Sequence, residues 1–289
     1  MKILVTGAKG QLGSSIRKLS DDYKGMEFIF TDIEELDITS RESLNRFFQE
    51  NNPDLCINCA GYTAVDDAEE NRELAFLLNQ EAVRNLSDIT EKHKAKFIHI
   101  STDYVFNGHF WEPYRELDKP SANSVYGQSK LAGELEILDK KHSIIVRTSW
   151  LYSEFGHNFF KTMVKLTGSK EELNVVFDQV GTPTYATDLA KALLKISEES
   201  GSGHFVHGIY HFSNEGVASW YDFAVQIAKL NGSTCEIKPI ETHEYPLPAP
   251  RPTYSVLNKS RIKHVYGVTI PYWMDSLKIC YENYLKLKN

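Results

Sequence analysis

Lys2-Ile3-Leu4-Val5-Thr6-Gly7-Ala8-Lys9-Gly10-Gln11-Leu12-Gly13 is the stretch on which the fold of this chain turns. A short β-prone run leads into glycines at 7, 10 and 13, and the sequence beyond them reads as a helix. Glycines at that spacing let a chain turn tightly, bring backbone N–H groups against a pyrophosphate at a helix N-terminus, and pack the helix on the sheet with no Cβ in the way. The spacing alone describes any tight turn. It gains meaning from the strand before it, the helix after it, and Asp32 at the end of the next strand, about 20 residues on, where an acid hydrogen-bonds a ribose diol. Asp32 accepts from a 2′-hydroxyl and repels a 2′-phosphate, whereas Lys9 beside the same ribose neutralises such a phosphate. Both NADPH and NADH are therefore expected as cofactors.

Outward from this turn, strand-like segments alternate with helix-like ones. Strands are expected at Lys2–Thr6, Glu27–Thr31, Leu55–Cys59, Lys96–Ser101, Ser143–Thr148 and Asn174–Phe177. Helices are expected from about Gly10, over Ser40–Glu50, as one long element over Glu70–His93, and over Val125–Leu138. That alternation predicts an α/β protein with a Rossmann-like, doubly wound parallel sheet. Residues 1–150 form the expected dinucleotide-binding domain. Residues 151–289 are read mainly as a smaller substrate-binding lobe, with segments between about 174 and 212 returning to the main sheet; its clearest irregular stretch is Tyr245-Pro246-Leu247-Pro248-Ala249-Pro250-Arg251-Pro252.

Composition removes other classes. With 42% hydrophobic and 25% charged residues in 289, the chain can bury a core and is not a disordered one. A net charge of −7 offers no footprint for nucleic acid. Apolar runs such as Ser143–Val146 are far short of a membrane span. Met1-Lys2 leads at once into Ile3-Leu4-Val5, leaving no room for a signal peptide, so a cytoplasmic protein is expected. Cys56 and Cys59 form a C-x-x-C, but three strand steps set the sulfurs on opposite faces, which reads as two reduced structural cysteines. His204, His207 and His211 are spaced along a strand too widely for one metal, and no metal is expected.

Val125-Tyr126-Gly127-Gln128-Ser129-Lys130-Leu131 opens a helix with Tyr126 and Lys130 four residues apart on one face. A cation beside a phenol favours the phenolate and lowers a pKa that ordinarily lies near ~10, which suits the pair to acid–base work. Such pairs also occur by chance on exposed helices. Here, however, strand Phe97-Ile98-His99-Ile100 runs into Ser101-Thr102-Asp103-Tyr104-Val105-Phe106, putting hydroxyls where open α/β sheets hold ligands.

These motifs, with Asn58-Cys59-Ala60-Gly61-Tyr62-Thr63-Ala64-Val65-Asp66, Arg147-Thr148-Ser149-Trp150, Asp178-Gln179-Val180-Gly181-Thr182-Pro183-Thr184 and Arg251-Pro252, follow one another in order from residue 1 to about 260. The series resembles the dTDP-4-dehydrorhamnose reductase branch of the extended short-chain dehydrogenase/reductase family. The strand-end and R-T-S-W motifs are specific to that branch; the glycine turn and Y-x-x-x-K belong to the whole superfamily. The resemblance implies NAD(P)H-dependent reduction of the 4-keto group of dTDP-4-dehydro-L-rhamnose to dTDP-L-rhamnose, for surface polysaccharide. It implies Tyr126 as proton donor, Lys130 tuning it and holding the nicotinamide ribose, and Thr102 on the reacting oxygen. Gly10, Gln11 and Leu12 fall on the pyrophosphate beside Gly7 and Gly13, Asp32 on the ribose, Asp37 and Ile38 at the adenine, and Gly61, Tyr62 and Thr63 along the cofactor. Thr102, Asp103 and Trp150 meet the sugar. Arg251 has the planar cation suited to a diphosphate, with a plain surface arginine as the alternative.

The sequence also departs from that pattern. Ser14-Ser15-Ile16 stands where similar proteins often carry a glutamate for a magnesium ion at a dimer interface, so no metal and a monomer or weak homodimer are expected. Asp67 stands where relatives often have a lysine, and Cys59 and Gly61 replace alanines. Two other readings remain: a ketoreductase for another nucleotide-linked deoxysugar, and a non-catalytic dinucleotide-binding regulatory subunit like that of methionine adenosyltransferase. Intact Tyr126, Lys130 and Thr102 argue against the second.

Overall fold

Six parallel strands make the central sheet of the computed structural model, which describes residues 1–288. Their spatial order is Gly208–His211, Ser143–Thr148, Lys96–Thr102, Leu55–Asn58, Lys2–Thr6, Glu27–Thr31. Leu55–Asn58 and Ser143–Thr148 are buried at every position, as strands must be when helices cover both faces. Against one face pack helices Gln11–Leu19 and Ala186–Gly201, through Ile16, Leu189 and Leu193. Against the other lie Arg41–Asn51, Ala82–Lys92 and Val125–Ile137, through Phe48, Leu86 and Ile137. Strand order reverses between Lys2–Thr6 and Leu55–Asn58. The crevice beyond their carboxyl ends is thus the place for a ligand.

Two expectations need correction. The segment read as a sixth strand at Asn174–Phe177 forms over Glu172–Val176, but it pairs with Glu236–Ile240 in a separate two-stranded sheet; only Gly208–His211 rejoins the main one. Alternating burial along Glu172–Val176 shows why: one face packs on the lobe's aromatic core while the other meets water. That core is built on Tyr152, Phe160, Tyr185, Phe223 and Trp273. The long helix expected over Glu70–His93 is interrupted. A short helix Asp67–Glu70 precedes Asn71, and the run 72–92 contains a π-helical turn at Leu77–Glu81. The turn lets the Asn79 carbonyl approach Gly133 so closely that a Cβ there would lie 2.0 Å from it.

Among the described residues no helix is long and apolar enough to cross a membrane. Cys56, Cys59, Cys235 and Cys280 are all free thiols. His204, His207 and His211 each turn a ring nitrogen to a different backbone carbonyl, those of Val265, Ser143 and Tyr114.

Candidate active site

The glycine turn and the loop after Leu55–Asn58 touch backbone to backbone. Gly7 has φ +63°, and a Cβ on it would lie 2.7 Å from Ala60 N and 2.8 Å from Cys59 C. A Cβ on Gly13 would lie 2.5 Å from Gly7 O. Gly10 is the N-cap of Gln11–Leu19 and has no side chain with which to cap it, so the first-turn amides are left for a ligand. Leu12 is buried in the core, which leaves its amide for that role. The Gln11 side chain ties the turn to the C-terminal lobe: Oε1 accepts from Ser153 Oγ at 3.0 Å and from Asn158 Nδ2 at 2.8 Å.

Asp32 stands at the turn, where Oδ2 accepts from Lys9 N at 3.0 Å and Oδ1 from Ile33 N at 3.0 Å. The Lys9 ammonium, expected beside the ribose, is instead paired with Glu34 Oε2 at 2.7 Å, because an exposed lysine takes the nearest carboxylate. Asp37 Oδ1 is held by Thr39 N at 2.9 Å and Thr39 Oγ1 at 2.7 Å, while Ile38 is buried among Leu36, Leu44 and Phe48.

At the end of Lys96–Thr102, Thr102 Oγ1 accepts from Tyr104 N at 3.2 Å and donates to Asp103 Oδ1 at 3.1 Å. Asp103 is buried and its Oδ2 has no hydrogen-bond partner among the described residues; burial raises its carboxyl to about 6 against the hydroxyls of Ser255 and Thr102. Ser124 caps helix Val125–Ile137 by accepting from Gly127 N at 3.1 Å, setting Tyr126 in the first turn. The Tyr126 ring meets Tyr104 edge-on, 5.4 Å between centroids. Burial pushes the phenol up to about 12, opposed by the neighbouring Thr102 hydroxyl and reinforced by the charge of Asp103.

Lys130 makes its hydrogen bonds to the sheet and none to the Tyr126 hydroxyl. Its long stem carries Nζ down to the sheet, where it donates to Ile100 O at 2.5 Å and lies 3.4 Å from His99 Nε2. Burial lowers it to about 8, against Glu134 and Cys59.

Asn79 and Glu134, which brace the site, carried no sequence signal. Asn79, on the π-helical turn, accepts from Tyr62 N at 2.9 Å and donates to Tyr62 O at 3.0 Å and Ser129 Oγ at 2.9 Å, so it fixes the loop to the helix of Tyr126. Gly61 sits against it: a Cβ there would lie 2.8 Å from Asn79 Oδ1. Tyr62 packs with Tyr104 and Tyr126, while Thr63 is exposed. Glu134 and Arg147 form a buried two-point pair at 2.9 and 2.6 Å beneath Lys130.

Trp150 is half-buried and left-handed at φ +46°, unusual for a bulky residue, and stacks on Trp220 with centroids 3.7 Å apart and planes 6° apart. A Cβ on Gly181 would lie 2.7 Å from that indole, so the glycine of the Asp178–Thr184 motif makes room for it. Arg251, expected free for a diphosphate, directs its fork to Asp66 at 2.9 and 2.7 Å and to Ala249 O at 2.8 Å. A carboxylate is the planar acceptor that a guanidinium matches best. Tyr126, Thr102 and Asp103 are thus gathered at one strand end, with Lys130 beneath them.

Similarity to known proteins extends over the whole arrangement. The RmlD substrate binding domain family matches residues 1–286. A crystal structure of a dTDP-4-dehydrorhamnose reductase from Clostridium acetobutylicum superposes with a TM-score of 0.92 at 44% identity, covering 99% of this chain and 100% of that one. That of the Bacillus anthracis dTDP-4-dehydrorhamnose reductase in complex with NADP gives 0.92 at 37% identity, covering 98% and 99%. The dTDP-4-dehydrorhamnose reductase of Aggregatibacter actinomycetemcomitans is 39% identical over 285 residues, 96% of this chain and 97% of that protein. Matched from its first strand into its last helix, with the glycine turn and the Thr102–Tyr126 strand end inside the match, the chain belongs to the RmlD substrate binding domain family.

Proposed function

We propose that this protein is an oxidoreductase that reduces the 4-keto group of dTDP-4-dehydro-L-rhamnose with NADPH or NADH, giving dTDP-L-rhamnose. The observation that carries this reading is the Thr102–Tyr126 hydroxyl pair, buried at the carboxyl end of the sheet beside an uncapped glycine turn. The turn fits a dinucleotide: side chains are sterically excluded at Gly7 and Gly13, and Gly10 leaves the helix amides uncapped. Gly7–Gly13 would hold the pyrophosphate, Asp32 the adenosine ribose, Gly61–Thr63 the length of the cofactor, and Lys130 the nicotinamide ribose. A bound NAD(P)H supplies the hydride.

The remaining chemistry falls to the chain. A phenol raised to about 12 is fully protonated at neutral pH, the state required of a group that gives a proton to a developing alkoxide. Thr102 donates to the same oxygen, and the unpartnered Asp103 Oδ2 is available to a sugar hydroxyl. Trp150 offers an indole held rigid by Trp220. For Arg251 to take a diphosphate, Asp66 must yield its place.

The direct test is purified protein with dTDP-4-dehydro-L-rhamnose and NADPH, following cofactor oxidation and product stereochemistry by NMR. Stoichiometric dTDP-L-rhamnose is expected. Reduction of a different nucleotide-linked deoxysugar in its place would move the substrate, and no oxidation with any such sugar would defeat the catalytic reading.

Cofactor choice follows from the charges at the turn. Glu34→Gln releases the Lys9 ammonium, and Asp32→Ala removes an acid that repels a 2′-phosphate. Each is expected to raise the NADPH-to-NADH ratio in kcat/KM, by roughly threefold for the solvent-screened Lys9 pair. Ratios unchanged in both variants would place these residues away from the ribose.

A further inference from the structure

Beneath Lys130 runs a buried hydrogen-bond chain that the proposed reaction does not use. Thr6 Oγ1 donates to Asn58 Oδ1 at 2.7 Å, and the Ala60 amide donates to the same oxygen at 3.1 Å. A backbone N–H can only donate, so Ala60 fixes which end of the Asn58 amide is oxygen. The Asn58 NH2 group therefore faces His99 Nδ1, at 3.1 Å. Nδ1 must accept, and the proton of the neutral ring sits on Nε2. Full burial beside Lys130 holds the ring neutral, its pKa well below the ordinary value. Nε2 lies 3.4 Å from Lys130 Nζ. An ammonium there meets an N–H where it needs a lone pair, whereas a neutral amine accepts from that N–H while donating to Ile100 O at 2.5 Å.

We infer that His99 is a positioning residue which weakens the hold of Lys130 on its proton, its ring locked by Thr6 and Asn58 so that an N–H faces the lysine nitrogen. This deepens the proposed function, since it rests on Lys130 belonging to the reacting site. The other titratable groups around the amine are Cys59 at the end of the neighbouring strand, Glu134 one helical turn onward and Tyr126 one turn back. Glu134 favours the ammonium, yet its carboxylate is already bound by Arg147 and Ser101. Cys59 is held as an uncharged thiol at neutral pH, burial having raised it to about 12, and Tyr126 is likewise an uncharged phenol. No free anion is left to oppose burial and the His99 N–H, in keeping with a lysine lowered to about 8. A lysine of ordinary basicity holds its proton throughout the neutral range; this one exchanges it there.

The test needs no turnover. In cofactor-free protein labelled with ¹³C-lysine, the Lys130 ¹³Cε signal, assigned by its absence in Lys130→Arg, is followed through a pH titration. Its midpoint is expected well below that of the surface lysines. In His99→Phe, which keeps the burial and removes the N–H, the midpoint is expected to rise by about one pH unit, tenfold in proton affinity. His99→Gln turns an amide N–H to the same place and is expected to restore the low value. A wild-type midpoint among the other lysines, or a His99→Phe midpoint equal to wild type, would overturn the inference. Ring ¹⁵N NMR of wild-type His99 tests it with no substitution at all: the proton is expected on Nε2, and a proton on Nδ1 defeats it. None of these signals depends on whether the protein reduces a dTDP-sugar, so a failed activity assay with a low Lys130 midpoint would reject the proposed reaction and leave the tuning in place.

Discussion

Tyr126→Phe is expected to lower turnover by about 10²- to 10⁴-fold, the range in which a positioned general acid contributes. The substitution removes a single oxygen. The ring stays in its buried place beside Val125 and edge-on to Tyr104, so the helix and the cofactor turn have no reason to move. What is lost is the proton for the carbonyl oxygen. Because burial keeps the wild-type phenol protonated throughout the neutral range, the deficit is expected to be the same across that range. Steady-state kcat, cofactor affinity by fluorescence and thermal unfolding together make the check. Wild-type turnover in the variant would remove Tyr126 from the mechanism, and a large fall in melting temperature would show a packing defect instead.

The second large effect concerns stability. Arg147 and Glu134 are 1% and 2% exposed, and they join the strand Ser143–Thr148 to the helix that carries Tyr126 and Lys130. Glu134→Leu leaves a guanidinium buried with the Phe106 ring at 5.1 Å and His211 Nε2 at 3.4 Å as its remaining side-chain company. Arg147→Met leaves a buried carboxylate with Ser101 as its hydrogen-bonding partner. Each single change is expected to cost about 3–5 kcal/mol, because removing one member of a buried pair strands the other charge. The double change is expected to be more stable than either single, since it strands neither. Urea unfolding followed by circular dichroism measures all three, and single variants within ~1 kcal/mol of wild type would show that the pair is dispensable.

Legibility along the chain followed the range of the interactions involved. The strands Lys2–Thr6, Glu27–Thr31 and Ser143–Thr148 form with the bounds their apolar patterns predict, and the glycine turn has the backbone contacts its spacing demands. These are local matters of strand patterning and missing Cβ atoms, written in neighbouring residues. Family membership was legible as well, because the motifs stand in order along one chain.

Where side chains turn was not legible. Tyr126 and Lys130 share a helix face, but the ammonium is drawn to the Ile100 carbonyl of a strand some 30 residues earlier. Lys9 is drawn to Glu34 and Arg251 to Asp66 across the lobes, since a charged group on a flexible stem settles on whichever oxygen folding brings nearest. Asn79 reaches Tyr62 from a π-helical turn, and no residue pattern announces such a turn. The strand Glu172–Val176 was readable as a strand but not as to its sheet, because its pairing with Glu236–Ile240 depends on a segment 64 residues away. Sequence alone therefore determined the strands, the turn and the family, whose signals are local or ordered along the chain. Only the tertiary structure decided which charges meet and what proton affinity they leave at Tyr126, Asp103 and Lys130, because burial and long-range pairing exist only once the chain has closed on itself.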